Sequence, residues 1–201
     1  MARLLMNRWR AQLICPRGCN EPQGRSVLGH VEASETIEAS REDAFHFTDW
    51  CYNDPEWAPF LMRAWIVKLP GQDGLGMLSH YVGNVTGREM EWEGESIEWV
   101  ENELWARKAL SGPLAKMNMK MKMRFEPIGN GRVKVISSID YRVPYPLAGR
   151  LFDRLYVRRQ ARRMARNAVE GIRKAATEGR IPPLQVQMEK RKADHPGYQP
   201  F

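Results

Sequence analysis

Residues 141–178 read YRVPYPLAGRLFDRLYVRRQARRMARNAVEGIRKAATE, and this segment decides the fold of the chain. It predicts the end of a strand, a proline corner and one long helix. Pro146 suits a first helical turn, where a missing N–H has no partner to lose. Gly179 and the two prolines that follow favour an end near residue 178. A helix over 146–178 would be about 50 Å long, so a large curved sheet is needed to hold it.

The apolar residues of this helix predict which face is buried. At 100° per residue they form one stripe, which contains Leu147, Leu151, Leu155, Ala165, Val169, Ile172 and Ala176. Arg158 and Arg162 fall in the same stripe. A buried guanidinium without a partner is very costly. Three arrangements stay open for these two cations: extension to solvent, pairing with an inward Glu, or binding of an acidic ligand group.

Strand-like alternation fills the region before the helix. A first strand over 28–39 leads into two short helices that begin near Ser40 and Asp54. Six further strands are predicted over 62–69, 75–83, 88–99, 104–110, 116–125 and 133–143. The clearest places Met117, Met119, Met121, Met123 and Phe125 on one face and charged residues on the other. Short turns predict an antiparallel meander, and the long helix has to cover its apolar face.

Charge is unevenly distributed along the 201 residues, whose net charge is +7. Residues 31–145 hold 13 basic and 18 acidic residues, whereas the helix at 146–178 holds nine basic and three acidic ones. A solvated helix face explains this best, and docking to an anionic surface is the alternative. Nucleic-acid binding is disfavoured, because the basic residues accompany no aromatic platform or groove-reading motif.

The two ends of the chain differ from its centre. Residues 1–27 form a basic extension that we expect to be poorly ordered, and residues 179–201 form a polar, Pro-containing tail with the same expectation. Three cysteines without framework spacing favour a reducing, cytoplasmic location. The alternative is that residues 1–26 act as an organelle-targeting peptide or a peripheral membrane anchor. Cys15 and Cys19 lack nearby further ligands, so no metal site is expected.

Several short motifs, in this order, resemble the START/Bet v 1-like (SRPBCC) superfamily, including its polyketide cyclase/dehydrase and coenzyme Q-binding members. The motifs are IEASREDAF at 37–45, PEW at 55–57, SGP at 111–113, FEPIGNG at 125–131, DYRVP at 140–144 and LAGRLFD at 147–153. The resemblance covers residues 28–178. It implies an α+β helix-grip fold, in which a curved antiparallel seven-stranded sheet wraps around the C-terminal helix and encloses a hydrophobic cavity. It implies no particular reaction.

Inward positions with bulk or polarity are the candidate cavity residues: Trp57, Phe60, Tyr81, Trp92, Met117, Met119, Met121, Ser137, Tyr141, Leu155, Arg158 and Arg162. The methionine row suits a cavity for varied apolar guests, because thioether side chains adapt to irregular shapes. We therefore expect a protein that binds a lipid, quinone or polycyclic small molecule, with no cofactor. Two alternatives stay open. One is an aromatase/cyclase-type enzyme that uses Tyr141, Ser137 and the two arginines, and the other is a module that docks on an anionic membrane or a larger complex.

Overall fold

The computed structural model describes residues 27–85, 87–143 and 151–198, and the account below is confined to them. Seven strands form one sheet in the order β1-β7-β6-β5-β4-β3-β2, and every neighbouring pair is antiparallel. The strands are β1 Val27–Ile37, β2 Leu61–Lys68, β3 Leu78–Asn84, β4 Glu89–Val100, β5 Leu104–Ala109, β6 Lys120–Gly129 and β7 Arg132–Val143. The predicted helix-grip sheet is confirmed, with boundaries shifted by a few residues.

The helices are α1 Arg41–Asp49, α2 Asp54–Trp57, α3 Gly112–Lys116, α4 Arg158–Thr177 and α5 Leu184–Asp194, with a 3₁₀ turn at Cys51–Asn53 and a π-helical turn at Asp153–Val157. Helix α1 begins as predicted, because the Ser40 hydroxyl accepts a hydrogen bond from the Asp43 N–H at 3.0 Å. Pro55 lies in the first turn of α2, where its missing N–H costs nothing. Together α1 and α2 join the first strand to the rest of the sheet.

Helix α4 packs against β1, β7 and α2. Of the predicted stripe, Ala165, Val169 and Ile172 are buried as expected, whereas its described N-terminal part is not. The buried residues of α4 are Ala161, Met164, Ala165, Ala168, Val169, Ile172 and Ala175. The inward orientation predicted for Arg158, Arg162 and Leu155 is wrong, because all three are exposed. Small alanines occupy much of the inner face and let the helix lie close to the sheet.

A π-helical turn changes the register of the helix before Arg158, although Arg158 and Arg162 themselves lie in the regular helix after it. There the N–H of Arg158 bonds to the carbonyl of Asp153, five residues earlier, so one more residue is wound into the turn than in an α-helix. Apolar spacing read from the C-terminal half therefore cannot be extended at 100° per residue to Leu151 and Leu155. Leu147 and Pro146, which began the prediction, lie outside the described residues.

Residues 179–198 of the C-terminal tail are part of the fold, and the expectation that this segment is poorly ordered is wrong. Helix α5 packs against α1, and the Arg191 side chain is 2% exposed. The Leu184 N–H donates to the Asp43 carboxylate at 2.6 Å, and the Gln187 amide donates to the Asp43 carbonyl at 3.0 Å. Polar anchors hold this tail, which is why an apolar pattern could not reveal it. The predictions for residues 1–26, including Cys15 and Cys19, fall outside the described residues.

Gly171 allows the closest approach between α4 and α2, and this yields a test of the fold. A Cβ at residue 171 would lie 1.8 Å from the Trp57 carbonyl oxygen. Replacement of a helical Gly by Ala ordinarily stabilises a helix by about 1 kcal/mol. Here we expect Gly171→Ala to destabilise the protein by about 2–3 kcal/mol, because backbone must move. Urea-induced unfolding would measure this difference.

Gly197→Ala is the matched control for that substitution. A Cβ at residue 197 has nothing within 4 Å, so the free energy of unfolding should change by less than about 0.5 kcal/mol. A neutral or stabilising effect of Gly171→Ala would contradict the described contact between α4 and α2.

Candidate functional site

A cavity of about 70 Å³ lies between the inner face of the sheet, α2 and α4. Aromatic and aliphatic side chains form most of its wall, including Trp57, Leu61, Trp92, Trp105, Met119 and Met164. A single water molecule needs roughly 10–15 Å³ of such space, so the cavity has room for on the order of five waters. The interior is therefore hollow, although the space is smaller than a polycyclic molecule.

Half of the predicted cavity residues line this space: Trp57, Phe60, Tyr81, Trp92, Met119 and Met121. The period-two alternation of the strands predicted which of their residues face inward, because inward-facing positions in a strand share one parity. Met117 packs at the margin of the hydrophobic core, and Ser137 is fully buried, but neither contributes to the wall. A ligand contact for any of these residues stays a prediction.

Tyr141, predicted as a cavity residue, serves another purpose. Its hydroxyl donates a hydrogen bond to the Asp153 carboxylate at 2.6 Å, and both side chains are buried. Burial, followed by the interaction with Asp153, raises the pKa of Tyr141, so the phenol stays protonated. The π-helical turn brings Asp153 beneath the sheet and ties the start of the long helix to β7. Tyr141 therefore holds the helix and does not line the cavity.

Three polar side chains meet at one corner of the otherwise apolar cavity, and we call Asp54, Tyr81 and Arg107 the polar corner. Arg107 projects from β5 and donates to Asp54 Oδ2 at 2.5 Å and to the Tyr81 hydroxyl at 3.1 Å. A second N–H group of Arg107 donates to the carbonyl of Asp49. The guanidinium also lies 4.5 Å from the ring centre of Trp105, a favourable cation–π arrangement. All of these contacts are buried.

Arg107 and Asp54 are the residues that our sequence interpretation missed. It looked for inward cations on the helix, whereas the inward cation lies on a strand. The signal was present, because Trp105, Arg107 and Ala109 share one parity in β5 and all three are buried. Asp54 was interpreted only as the start of a short helix. The first error follows from treating a charged strand residue as solvent-facing, and the second from treating Asp54 only as a helix-capping residue.

Electrostatics at the polar corner favour a cationic arginine beside a carboxyl group that exchanges a proton near neutral pH. Burial raises the pKa of Asp54 from 3.8 to about 7, although Arg107 opposes the shift. For Arg107, burial lowers the pKa, but the Asp54 carboxylate outweighs it and the net shift is upward. Burial also raises the pKa of Tyr81, so that its hydroxyl stays protonated. Asp54 Oδ1 has no hydrogen-bond partner among the described residues.

The polar corner can therefore offer both a donor and an acceptor to a guest molecule. The Tyr81 hydroxyl is a donor group that lies beside Asp54, and Asp54 Oδ1 has lone pairs without a partner among the described residues. The nearby thiol of Cys51 is a poor nucleophile, because burial raises its pKa to about 12. Over the described ranges, no group of three or more His, Cys, Asp or Glu side chains could hold a metal ion. The chemistry available is hydrogen bonding, charge stabilisation and proton exchange.

A second buried arginine connects the tail to this site through Asp49. Arg191 of α5 donates to the Asp49 carboxylate and to the His46 carbonyl, and its guanidinium lies 4.7 Å from the ring centre of Trp50. The other carboxylate oxygen of Asp49 accepts from the Trp99 indole at 3.3 Å. Since the Asp49 carbonyl receives Arg107, one residue contacts both buried guanidinium groups. The tail therefore helps to position the polar corner.

Comparisons with known proteins agree with the fold described above. A family profile described as "Polyketide cyclase / dehydrase and lipid transport" matches residues 29–177. No curated protein matches the sequence. Among the described helices, none combines the length and hydrophobicity that a bilayer crossing requires.

Solved structures of similar fold come from bacteria and plants, including the following three from bacteria. A protein from Thermus thermophilus is 17% identical with a TM-score of 0.62, over 75% of this chain and 99% of that one. A START superfamily protein from Mycobacterium smegmatis is 17% identical with a TM-score of 0.56, over 76% and 96%. The Zhui aromatase/cyclase from Streptomyces sp. R1128 is 15% identical with a TM-score of 0.52, over 86% and 100%. At these identities the likeness concerns the fold alone.

The raised pKa of Asp54 predicts a distinctive dependence of stability on pH. Between about pH 4 and pH 7 the folded protein holds a proton on Asp54 that the unfolded chain has released. This contribution to the free energy of unfolding therefore falls as the pH rises through that window. Buried His46 acts oppositely below pH 6.5, because its lowered pKa makes the folded state bind fewer protons.

Asp54→Asn should remove only the first contribution, so comparison with the wild type isolates it. We expect the wild type to lose more stability than the variant between pH 5 and pH 8, by on the order of 2 kcal/mol. Urea-induced unfolding at the two pH values would measure both slopes. Equal slopes, or a steeper loss in the variant, would contradict an elevated pKa at Asp54.

Proposed function

Because the chain belongs to the family of polyketide cyclases/dehydrases and lipid-transport proteins, we propose that its cavity binds a hydrophobic small molecule that carries an oxygen-containing group. A lipid, a quinone or a polycyclic, polyketide-like compound has this chemistry. The observation that carries the proposal is the polar corner, which lies at one side of an apolar cavity and leaves Asp54 Oδ1 without a partner among the described residues. Ligand sites generally combine such apolar walls with few polar groups.

The division of the cavity wall suggests how a guest would be oriented. Tryptophan and methionine side chains would contact its apolar body, while Tyr81 and Arg107 would face a carbonyl or hydroxyl oxygen. A hydroxyl group on the guest could also donate to Asp54 Oδ1. Because an unsatisfied buried acceptor costs about 1–3 kcal/mol, a guest that satisfies it gains affinity from that contact. Binding would thus depend on one oxygen placed at one end of an apolar molecule.

A guest larger than a few waters requires the cavity to expand. Met119, Met121 and Met164 line it, and unbranched thioether side chains change rotamer at low cost. Phe60, Lys108 and Met121 are only half-buried, so this part of the wall adjoins solvent. Expansion by side-chain movement here leaves the hydrogen-bonded sheet intact. The methionine row is therefore suited to guests of different shape.

Filling the cavity tests this proposal. Ala109 lines the cavity, so Ala109→Phe places a ring where the guest would lie. Native mass spectrometry after gentle purification, and titration with anilinonaphthalene sulfonate, should show an apolar molecule bound to the wild type. In the variant we expect the apparent affinity to fall by about tenfold or more, which corresponds to about 1.4 kcal/mol.

Ala193→Phe is the control, because Ala193 is exposed on α5 and is not part of the cavity wall. It adds the same ring and should leave binding unchanged. Circular dichroism would verify that both variants are folded. A wild-type protein that neither retains an apolar molecule nor binds the dye, or equal binding by a folded Ala109→Phe variant, would refute the proposal.

An enzyme of the aromatase/cyclase type is the second candidate, and one observation favours it. A carboxyl group with a pKa of about 7 lies beside a neutral phenol and a cation, all against the cavity. General acid–base catalysis works best with a pKa near the working pH. Asp54 could then accept a proton from a carbon next to a carbonyl, while Arg107 and Tyr81 stabilise the resulting enolate oxygen.

Tyr81→Phe separates catalysis from binding. The substitution keeps the ring and removes the hydroxyl, so affinity for an apolar ligand should change by less than about tenfold. Turnover of a poly-β-ketone analogue should fall by about a hundredfold if the Tyr81 hydroxyl stabilises the enolate oxygen. Tyr141→Phe is the control, since that hydroxyl contacts Asp153 away from the cavity. Absence of turnover by the wild type, or equal turnover by Tyr81→Phe, would exclude this second candidate.

A further inference from the structure

The outer side of the long helix carries a dense cationic surface that the cavity does not use. Its arginines are all exposed, line one groove along the helix and comprise Arg154, Arg158, Arg159, Arg162, Arg163 and Arg166. We call this surface the arginine face. Asp153 is the one acidic residue between residues 151 and 169, and it is buried against Tyr141. None of these arginines forms an ion pair with another described residue, so their charge is directed to solvent.

Large apolar side chains are exposed at the N-terminal end of the same face. Leu151 is 62% exposed, Phe152 52% and Leu155 66%. Tyr156 stacks on Phe152, with ring centres 5.4 Å apart. Leu155 and Tyr156 line the same groove as the arginines, so the apolar and cationic groups form one continuous surface. Exposure of four such neighbours is unusual where a protein has only solvent to contact.

We propose that this surface docks on a lipid bilayer that contains anionic headgroups. Arginines beside Leu, Phe and Tyr are the composition by which amphipathic helices lie at a membrane interface. The guanidinium groups would contact lipid phosphates, and each basic residue near an anionic membrane adds to the attraction. The leucines and Phe152 would enter the boundary between headgroups and acyl chains. Neither solvent nor a purely polar partner would bury these apolar side chains.

Charge argues against the other occupants of this surface. Residues 1–26 carry five arginines and a single acidic residue, so this segment of the same chain would be repelled. A second copy would bring one arginine face against another if the contact were symmetric. A nucleic acid would satisfy the arginines but would leave the exposed leucines without a partner. A bilayer satisfies both halves of the surface.

Vesicle flotation with the full chain tests the proposal. The wild type should float with vesicles of phosphatidylcholine and phosphatidylglycerol and stay unbound with phosphatidylcholine alone. Arg159→Glu with Arg166→Glu should weaken partitioning by at least about tenfold, because two attractive charges become repulsive. Lys190→Glu with Lys192→Glu makes the same change in net charge on exposed residues of α5 and should keep wild-type binding.

A second double variant tests the apolar half of the surface without altering charge. Leu151→Ser with Leu155→Ser should also weaken flotation by about tenfold, since each buried CH₂ group contributes to interfacial binding. If this variant binds as the wild type does while the arginine variant does not, the surface is a general polyanion site and the membrane assignment fails. Equal binding by wild type and arginine variant, or concentration-dependent dimerisation that depends on Leu155, would also overturn it. Native mass spectrometry should show the same apolar molecule retained in the cavity of every variant, so failure here is distinct from failure of the proposed function.

Discussion

The buried C-terminal end of α1 imposes the constraint on which the rest of the structure depends. The last four carbonyls of any α-helix have no partner within it, and leaving them buried and unpaired is costly. Three side chains donate hydrogen bonds to these carbonyls. Arg191 donates to the carbonyl of His46, and the Asn53 amide donates to the carbonyl of Phe47. Arg107 donates to the carbonyl of Asp49. Cations are also favoured at this end by the helix dipole. Side chains from β5, from the turn after α1 and from the tail are therefore required for α1 to lie under the sheet.

This arrangement explains why two arginines are found where an apolar core would be expected. Removing one partner of a buried ion pair costs about 3–5 kcal/mol, because a charge is left without compensation. Asp49 supplies the opposite charge for Arg191, and Asp54 does so for Arg107 once the pH exceeds its pKa of about 7. The backbone carbonyls satisfy further N–H groups on each guanidinium. Arg107 consequently has a fixed position at the cavity edge, so any guest would meet a rigid cation rather than a mobile one. Rigid placement of polar groups is what orientation of a ligand requires.

Local patterns predicted the sheet and the helix-grip architecture but not the register of the long helix or the polar corner. Period two is a property of neighbouring residues, so the inward parity of Tyr81, Trp92 and Met119 could be read directly. The π-helical turn at Asp153–Val157 has no equivalent signal, because it is stabilised by the Tyr141 contact across the strand–helix junction. Arg107 and Asp54 are 53 residues apart, and Arg191 and Asp49 are 142 apart. Pairs of this kind are fixed by tertiary structure, and the tail that carries Arg191 therefore looked like a solvated extension.

The long helix is strongly charged and also packs against the sheet. It does both because its charged and apolar residues lie on opposite faces. Alanines and a few larger apolar residues fill the inner side, whereas the arginines lie outside. Met164 belongs to the wall of the cavity and also to a groove with Arg163 and Asn167 on the outer surface. Phe60 also lines both spaces, so the side chains of Met164 and Phe60 separate the proposed ligand site from the cationic side of the helix. If both proposals hold, only the Met164 and Phe60 side chains would lie between a molecule dissolved in a bilayer and the cavity that receives it. Their movement requires no opening of the sheet.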